Sequence, residues 1–230
     1  MRGDNMATQS VFFCSFKIRK NWSIDIIVEK IFQENYNEID DRFVLNSYDN
    51  DTIDGMYIMQ FISREWVFNP QSKSVESVDF QKTSIIPFSI NINDKRMDIW
   101  GNKTSAQKLI TKMGIRLENQ VEIDTFFIQL PRVLERLKTE DVVYGKVKIE
   151  NFLLQSNLVA SCLVDLTNYD RPGDILNKYK DDIVQLSVSL KNYEEIATVI
   201  FYSSGSIVLY KSKDDISQEL FDKIKMICID

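Results

Sequence analysis

The sequence predicts an α+β fold of two pseudo-repeated halves, each a curved antiparallel sheet packed on a long helix. Three observations lead there. Runs rich in β-branched and aromatic residues recur between short polar turns, two of these runs are followed by amphipathic helices, and those two stretches align at an offset of 110 residues. In the first, Phe88-Ser-Ile-Asn-Ile92, a turn and Met97-Asp-Ile-Trp100 lead into a helix from Thr104. In the second, Thr198-Val-Ile-Phe-Tyr202, a turn and Ile207-Val-Leu-Tyr210 lead into a helix from Asp214. Met97, Ile99, Trp100 and Lys103 thereby match Ile207, Leu209, Tyr210 and Lys213. The organisation that follows is a disordered leader over 1–10, an N-terminal half over 11–120, a connecting helix over 121–140 and a C-terminal half over 141–230.

The elements can be justified in order. Val11 to Lys20 alternates, with Phe12, Cys14, Phe16 and Ile18 on one face and Lys17 and Arg19 on the other, as a half-buried strand does. Ser23 is the N-cap of the next helix, with Trp22 placed to staple against Ile27, and Ile24, Ile27, Val28, Ile31 and Phe32 form its apolar stripe. An acidic loop precedes a long strand over Met56 to Phe68, and further strands are expected over Val75 to Phe80, Thr83 to Ile92 and Arg96 to Trp100. The helix from Thr104 turns Ala106, Leu109, Ile110 and Met113 inward and has Gly114 as its stop. Asp124 to Leu137 has helical spacing, with Pro131 marking either a start or a kink. Strands follow over Val142 to Leu154 and Leu158 to Leu166, then a turn at Tyr169 to Gly173 and a short helix ending near Tyr179. The chain closes with strands over Asp182 to Leu190, Ala197 to Ser203 and Ser206 to Tyr210, and a helix from Asp214 to Ile227.

Composition excludes several functions. The 230 residues contain no histidine, which removes the commonest general base near neutral pH. The three cysteines, Cys14, Cys162 and Cys228, are far apart and lie in apolar stretches, so they read as small buried hydrophobes in a reducing compartment. No apolar run reaches the roughly 18 residues of a membrane span. The first residues lack a signal peptide's apolar stretch, and the expected address is the cytoplasm. The formal charge is −6, and the segment from Glu34 to Asp54 accounts for all of it, with seven acids against Arg42 alone. The protein thus reads as a neutral body with one acidic lobe.

The residues Val199-Ile-Phe-Tyr-Ser-Ser-Gly205, then Ile207-Val-Leu-Tyr-Lys-Ser-Lys213 and the terminal helix, resemble the repeat of the TATA-box-binding protein family. Met97-Asp-Ile-Trp-Gly-Asn-Lys103-Thr echoes the later part of that repeat in the first half. The resemblance implies a two-fold helix-grip fold, with Tyr202 where the family places a phenylalanine that wedges between base pairs. The departures are Lys211 in place of the family's glycine, Asp94-Lys95 in place of the first Ser-Gly turn, and Ile92 as the first-half counterpart of Tyr202.

The search for chemistry is mostly negative. Gly101-Asn-Lys103-Thr104 lacks the glycine spacing of a phosphate loop, so no nucleotide cofactor is expected. Asp49, Asp51 and Asp54, around Gly55, are the metal candidates, but the third acid falls one place late for a calcium loop and no Glu follows at the required position. Glu76, Asp79 and Lys82, or Lys146, Lys148 and Glu150, are the sets a metal-dependent hydrolase would use, and solvent-facing strands carry the same pattern. Trp66 and Trp100 read as core residues. Tyr202, Ser204, Tyr210 and Trp100 are the candidate binding residues if they lie on a concave face. The expected function is a non-enzymatic binding or adaptor protein, presenting a curved sheet and the acidic lobe to a protein partner or a second copy, in a microbial or phage accessory role. The alternatives are a nucleic-acid-binding protein and a carboxylate- or metal-dependent hydrolase.

Overall fold

A computed structural model describes residues 8–33, 41–155, 158–193 and 195–229. Antiparallel sheet dominates it, with 51% strand against 24% helix. Among the described residues, eleven strands and five short helices account for the regular structure. The expected pair of sheet-on-long-helix halves is therefore corrected to a fold in which strands carry most of the structure. The longest helix has 14 residues and the last one 12. Two segments read as loop and helix are also strands, Asp41–Tyr48 and Val121–Thr125. Of the expected leader, residues 1–7 lie outside the described residues, and the first strand starts at Gln9.

The chain divides into two compact units. One comprises 15–99 and 104–123; the other comprises 1–14, 100–103 and 124–230. In chain order the elements are β1 (Gln9–Ile18), α1 (Ile24–Phe32), β2 (Asp41–Tyr48), β3 (Thr52–Asn69), β4 (Ser74–Asn91), β5 (Arg96–Trp100), α2 (Lys103–Arg116), β6 (Val121–Thr125), α3 (Leu130–Leu137), β7 (Val142–Gln155), β8 (Leu158–Asp165), α4 (Pro172–Lys178), β9 (Ile183–Asn192), β10 (Glu195–Tyr202), β11 (Ser206–Leu209) and α5 (Gln218–Ile229).

In the unit built on 15–99, the strands run in the order β2-β3-β4-β5. Ser23 caps α1 by accepting a hydrogen bond from the Ile26 amide, and Ile27, Val28 and Ile31 are buried, as the helical stripe requires. They join Ile53, Tyr57 and Met59 of β3, Phe88 and Ile90 of β4, and Leu109 and Met113 of α2 among the buried residues. Phe32 stacks on Phe88 at 6.2 Å, and Phe43 lies 5.0 Å from Tyr57. Gly55 makes the Phe32–Phe88 stack fit, since an added Cβ would come within 2.9 Å of both rings. Gly114 does not stop α2, which runs on to Arg116, where Glu118 and Asn119 reverse the chain at positive φ. Lys20 and Lys30 both lie over the Trp22 ring and both pair with Glu118.

In the other unit the order is β11-β10-β9-β7-β8, with residues 9–12 of β1 paired to β11. The inward residues Val188 and Leu190 of β9, Val199 and Phe201 of β10, and Ile207 and Leu209 of β11 are fully buried. They share one cluster with Val133, Leu134 and Leu137 of α3 and Leu220, Phe221 and Ile224 of α5. Each such side chain contributes roughly 1.5–3 kcal/mol on leaving water. Pro131 sits in the first turn of α3, so the helix starts there rather than kinking. Arg136 then reaches the end of α5 and donates from Nη1 to the carbonyls of Met226 at 2.5 Å and Ile227 at 3.3 Å. A cation on the last carbonyls satisfies them and opposes the negative end of that helix.

The N-terminus of α5 is held by Glu195. Its Oε1 accepts from Lys211 Nζ at 2.7 Å and from the Ser217 amide at 3.3 Å, and its Oε2 accepts from Ser217 Oγ. Ser217 Oγ in turn accepts from the Leu220 amide at 3.2 Å, so the helix is capped at Ser217, later than the expected Asp214 start. Burial alone would raise the Glu195 carboxyl, but the hydrogen bonds from Lys211 and Ser217 together outweigh it and hold the group below its usual range.

Two outcomes are expected. Gly205 has φ +96°, and a Cβ there would lie 1.9 Å from the Phe126 carbonyl oxygen; Gly205→Ala should therefore cost about 2–4 kcal/mol in urea unfolding. Glu195 ionises more easily folded than unfolded, so its contribution is complete above the usual value of 4.5 and is lost as pH falls through the folded value. Glu195→Gln should lower stability at neutral pH and flatten the acid limb of the stability profile, as read by thermal melts across pH; an unchanged limb would count against this role.

Candidate interaction surface

Of the sequence-predicted binding residues, Trp100 is buried and Tyr202, Ser204 and Tyr210 reach the surface. Trp100 is only 2% exposed, its ring 4.7 Å from Phe221, and its indole Nε1 has no hydrogen-bond partner among the described residues. Phe201 points into the core and Tyr202 out, as strand alternation requires. Tyr202 and Tyr210 are half-buried and Ser204 is exposed beside the Gly205 turn. Burial raises the Tyr202 hydroxyl, and the neighbouring Tyr210 raises it further. On the same outward face Ser189 and Thr198 hydrogen-bond each other at 3.0 Å, so that patch is polar and partly satisfied within itself.

The candidate metal ligands are likewise engaged. Asp49 Oδ1 accepts from the amides of Asp51 and Thr52, both at 2.8 Å, and from Thr52 Oγ1 at 2.7 Å, which lowers the Asp49 carboxyl. This is an aspartate turn that starts β3. Asp51 accepts from Asn93 Nδ2 at 2.6 Å, and Asp54 stands on β3 opposite Ser89. Glu34, Glu38 and Asp40 of the acidic lobe lie outside the described residues. No set of three His, Cys, Asp or Glu side chains is arranged to hold a metal among the described residues.

The proposed hydrolase trio is divided by the strand pleat. Glu76 and Lys82 share one face of β4 and Asp79 takes the other, and each has a local partner. Glu76 accepts from Asn69 Nδ2, Ser72 Oγ and Ser74 Oγ, which stabilise its ionised form and close the turn between β3 and β4. Asp79 accepts two hydrogen bonds from Arg64, and Lys82 pairs with Glu65.

The surface that stands out is the outer part of this β3–β4 ribbon. All eighteen residues of β3 pair in register with β4, but β2 pairs only as far as Met59 and β5 only with Phe88–Asn91. From Gln60 outward the two strands have only each other as strand partners among the described residues. Ile62 and Trp66 are 73% and 74% exposed, and Phe68 and Val75 are 60% each. With Ile85 they line one face of the ribbon; Phe61, Val67, Val78 and Phe80 are the exposed apolar residues of the other. The sequence held this signal. Phe61-Ile-Ser-Arg-Glu-Trp-Val-Phe68 is apolar at both odd and even positions, the mark of a strand covered on both faces, whereas Trp66 reads as a core residue from its place on an expected strand alone. The structure leaves the Ile62–Trp66 face largely in solvent and the opposite face partly so, its apolar residues being 38–41% exposed.

The chain matches no protein-family model and no curated protein sequence. No helix among the described residues is long and apolar enough to cross a membrane.

Proposed function

We propose that this protein is a non-enzymatic binding protein whose recognition element is the β3–β4 ribbon between Gln60 and Ile85. One observation supports this above the rest: a strand pair with apolar residues on both faces is exposed on both. A two-stranded ribbon in water is marginal without packing, and nine large apolar side chains left in solvent oppose its formation. A partner that covers them supplies the missing layer. The ribbon's charges are matched in sign. Arg64 and Asp79 neutralise each other, as do Lys82 and Glu65, and such a surface suits a partner with an apolar face better than a polyphosphate. The reading moves the interaction surface away from the acidic lobe and the Tyr202 patch to a ribbon whose side chains have the chemistry of an interface core.

The experiment is an affinity capture from extract of the native host with two baits, the unaltered chain and an Ile62→Glu/Trp66→Glu variant. The expected result is at least one stoichiometric protein retained by the first and missing from the second. Identical profiles would sink the proposal, provided circular dichroism shows the variant folded.

A further inference from the structure

The occupant of the ribbon can be narrowed further. Resting on the reading above, we infer that the ribbon's partner is a second copy of the same chain, packed face to face through Ile62, Trp66, Phe68 and Val75. Three properties of that face lead to this.

The first is its area. With a fully exposed large apolar side chain presenting roughly 150–250 Å², the four side chains at their observed exposures offer on the order of 500 Å². Two copies in contact remove about twice that, ~1,000 Å², the size that separates a specific interface from a chance contact.

The second is its charge. Its ionised groups are Arg64 and Asp79, joined by two hydrogen bonds at 2.8 and 3.3 Å. The pair is neutral as a unit, and its remaining neighbours on the face, Gln60, Ser77, Gln81 and Thr83, carry no charge. A surface with no net charge has no electrostatic preference for an acidic or basic partner, and it does not repel its own copy. Gln81 Nε2 already donates to Gln60 Oε1 at 2.7 Å, so those amides enter a contact partly satisfied.

The third is the order of residues along the face. From base to tip it runs Ile85, then Ile62, the Arg64–Asp79 pair, Trp66, and finally Phe68 beside Val75. Apolar groups lie on both sides of the ion pair. Reversing one ribbon on the other by a two-fold axis between the Arg64 and Trp66 rows sets Ile62 against Phe68 and Val75 of the second copy, and Arg64 against its Trp66. Each contact then occurs twice, as an isologous interface requires, and the guanidinium meets an indole face rather than a like charge.

Sedimentation velocity of the full chain over a dilution series into the micromolar range tests this. The unaltered protein should approach twice the 26.9 kDa chain mass at high concentration and dissociate on dilution. Ile62→Glu/Trp66→Glu should sediment as the single chain throughout, with unchanged circular dichroism. Leu163→Glu, on an exposed apolar residue of β8, should leave the dimer intact. Should the double variant fail to fold, Arg64→Glu substitutes for it, expected to weaken association at least tenfold by setting two acids against each other beside Trp66. A single-chain mass for the unaltered protein at every concentration overturns the inference, as does a dimer that the ribbon variants leave unchanged. If the protein is a single chain yet the capture experiment yields a different protein lost with the variant, the second copy is refuted and the binding reading stands. If both experiments are negative, both fall.

Discussion

A β-strand has two faces and two edges, and this protein's organisation follows from how each is covered. β1 shows the requirement met: Val11 and Phe13 on one side and Phe12 and Cys14 on the other are all buried. The outer part of β3 has a similar composition on both sides, Phe61 and Val67 against Ile62, Trp66 and Phe68, and has neither side buried. The inner part of the same strand is ordinary. Ile53, Tyr57 and Met59 alternate with half-exposed residues, as in any sheet with one covered face. A single strand thus changes its needs part-way along: among the described residues, Met59 is both the last buried residue of β3 and the last that pairs with β2. The outer part therefore has a packing requirement of its own.

Much of this was legible in the residues, but unevenly. The Ser23 cap, the α1 stripe, β5 and the inward-outward split of Phe201 and Tyr202 follow from local periodicity, which a sequence displays directly. β2 did not, because its acids and the bulge between Leu45 and Ser47 break the alternation. β6 was hidden for another reason. Val121-Glu-Ile-Asp-Thr125 is set by pairing with β1, a long-range choice that overrode the helical spacing begun at Asp124. The fold class failed on proportion. Two strand-turn-helix stretches suggested halves of equal design, whereas strand pairing elsewhere, above all the eighteen-residue ribbon, outweighs the helices that follow them. Trp66 was misread because composition announces that a side chain wants cover but not whether its own chain supplies it.

The ionisable groups follow a consistent rule. Glu195, Glu118, Glu76, Asp49 and Asp79 each accept hydrogen bonds that end a strand, cap a helix, close a turn or hold a cross-strand pair. Lys211 illustrates how context assigns the role. At a position where a glycine was the expected residue, its ammonium instead anchors Glu195 and, through it, the first turn of α5. Catalytic carboxylates need the opposite arrangement, with several converging on one point and at least one left underserved so that its proton affinity shifts upward. Here Asp49, Glu76, Glu118, Asp165 and Glu195 are all held below their ordinary range, each by local hydrogen bonds.

The ribbon's charges bear on strand addition along its edges. A two-stranded ribbon has two edges open to further pairing, the geometry that drives uncontrolled strand addition. Along this one, Arg64, Glu65, Asp79 and Lys82 cluster midway, each facing an opposite charge across the strands. These ion pairs interrupt the apolar run on each face with charged groups, a device that exposed strands use against uncontrolled strand addition. A ribbon built from alternating valine and threonine would pair equally well within itself, but would lack those charges and the protection they give.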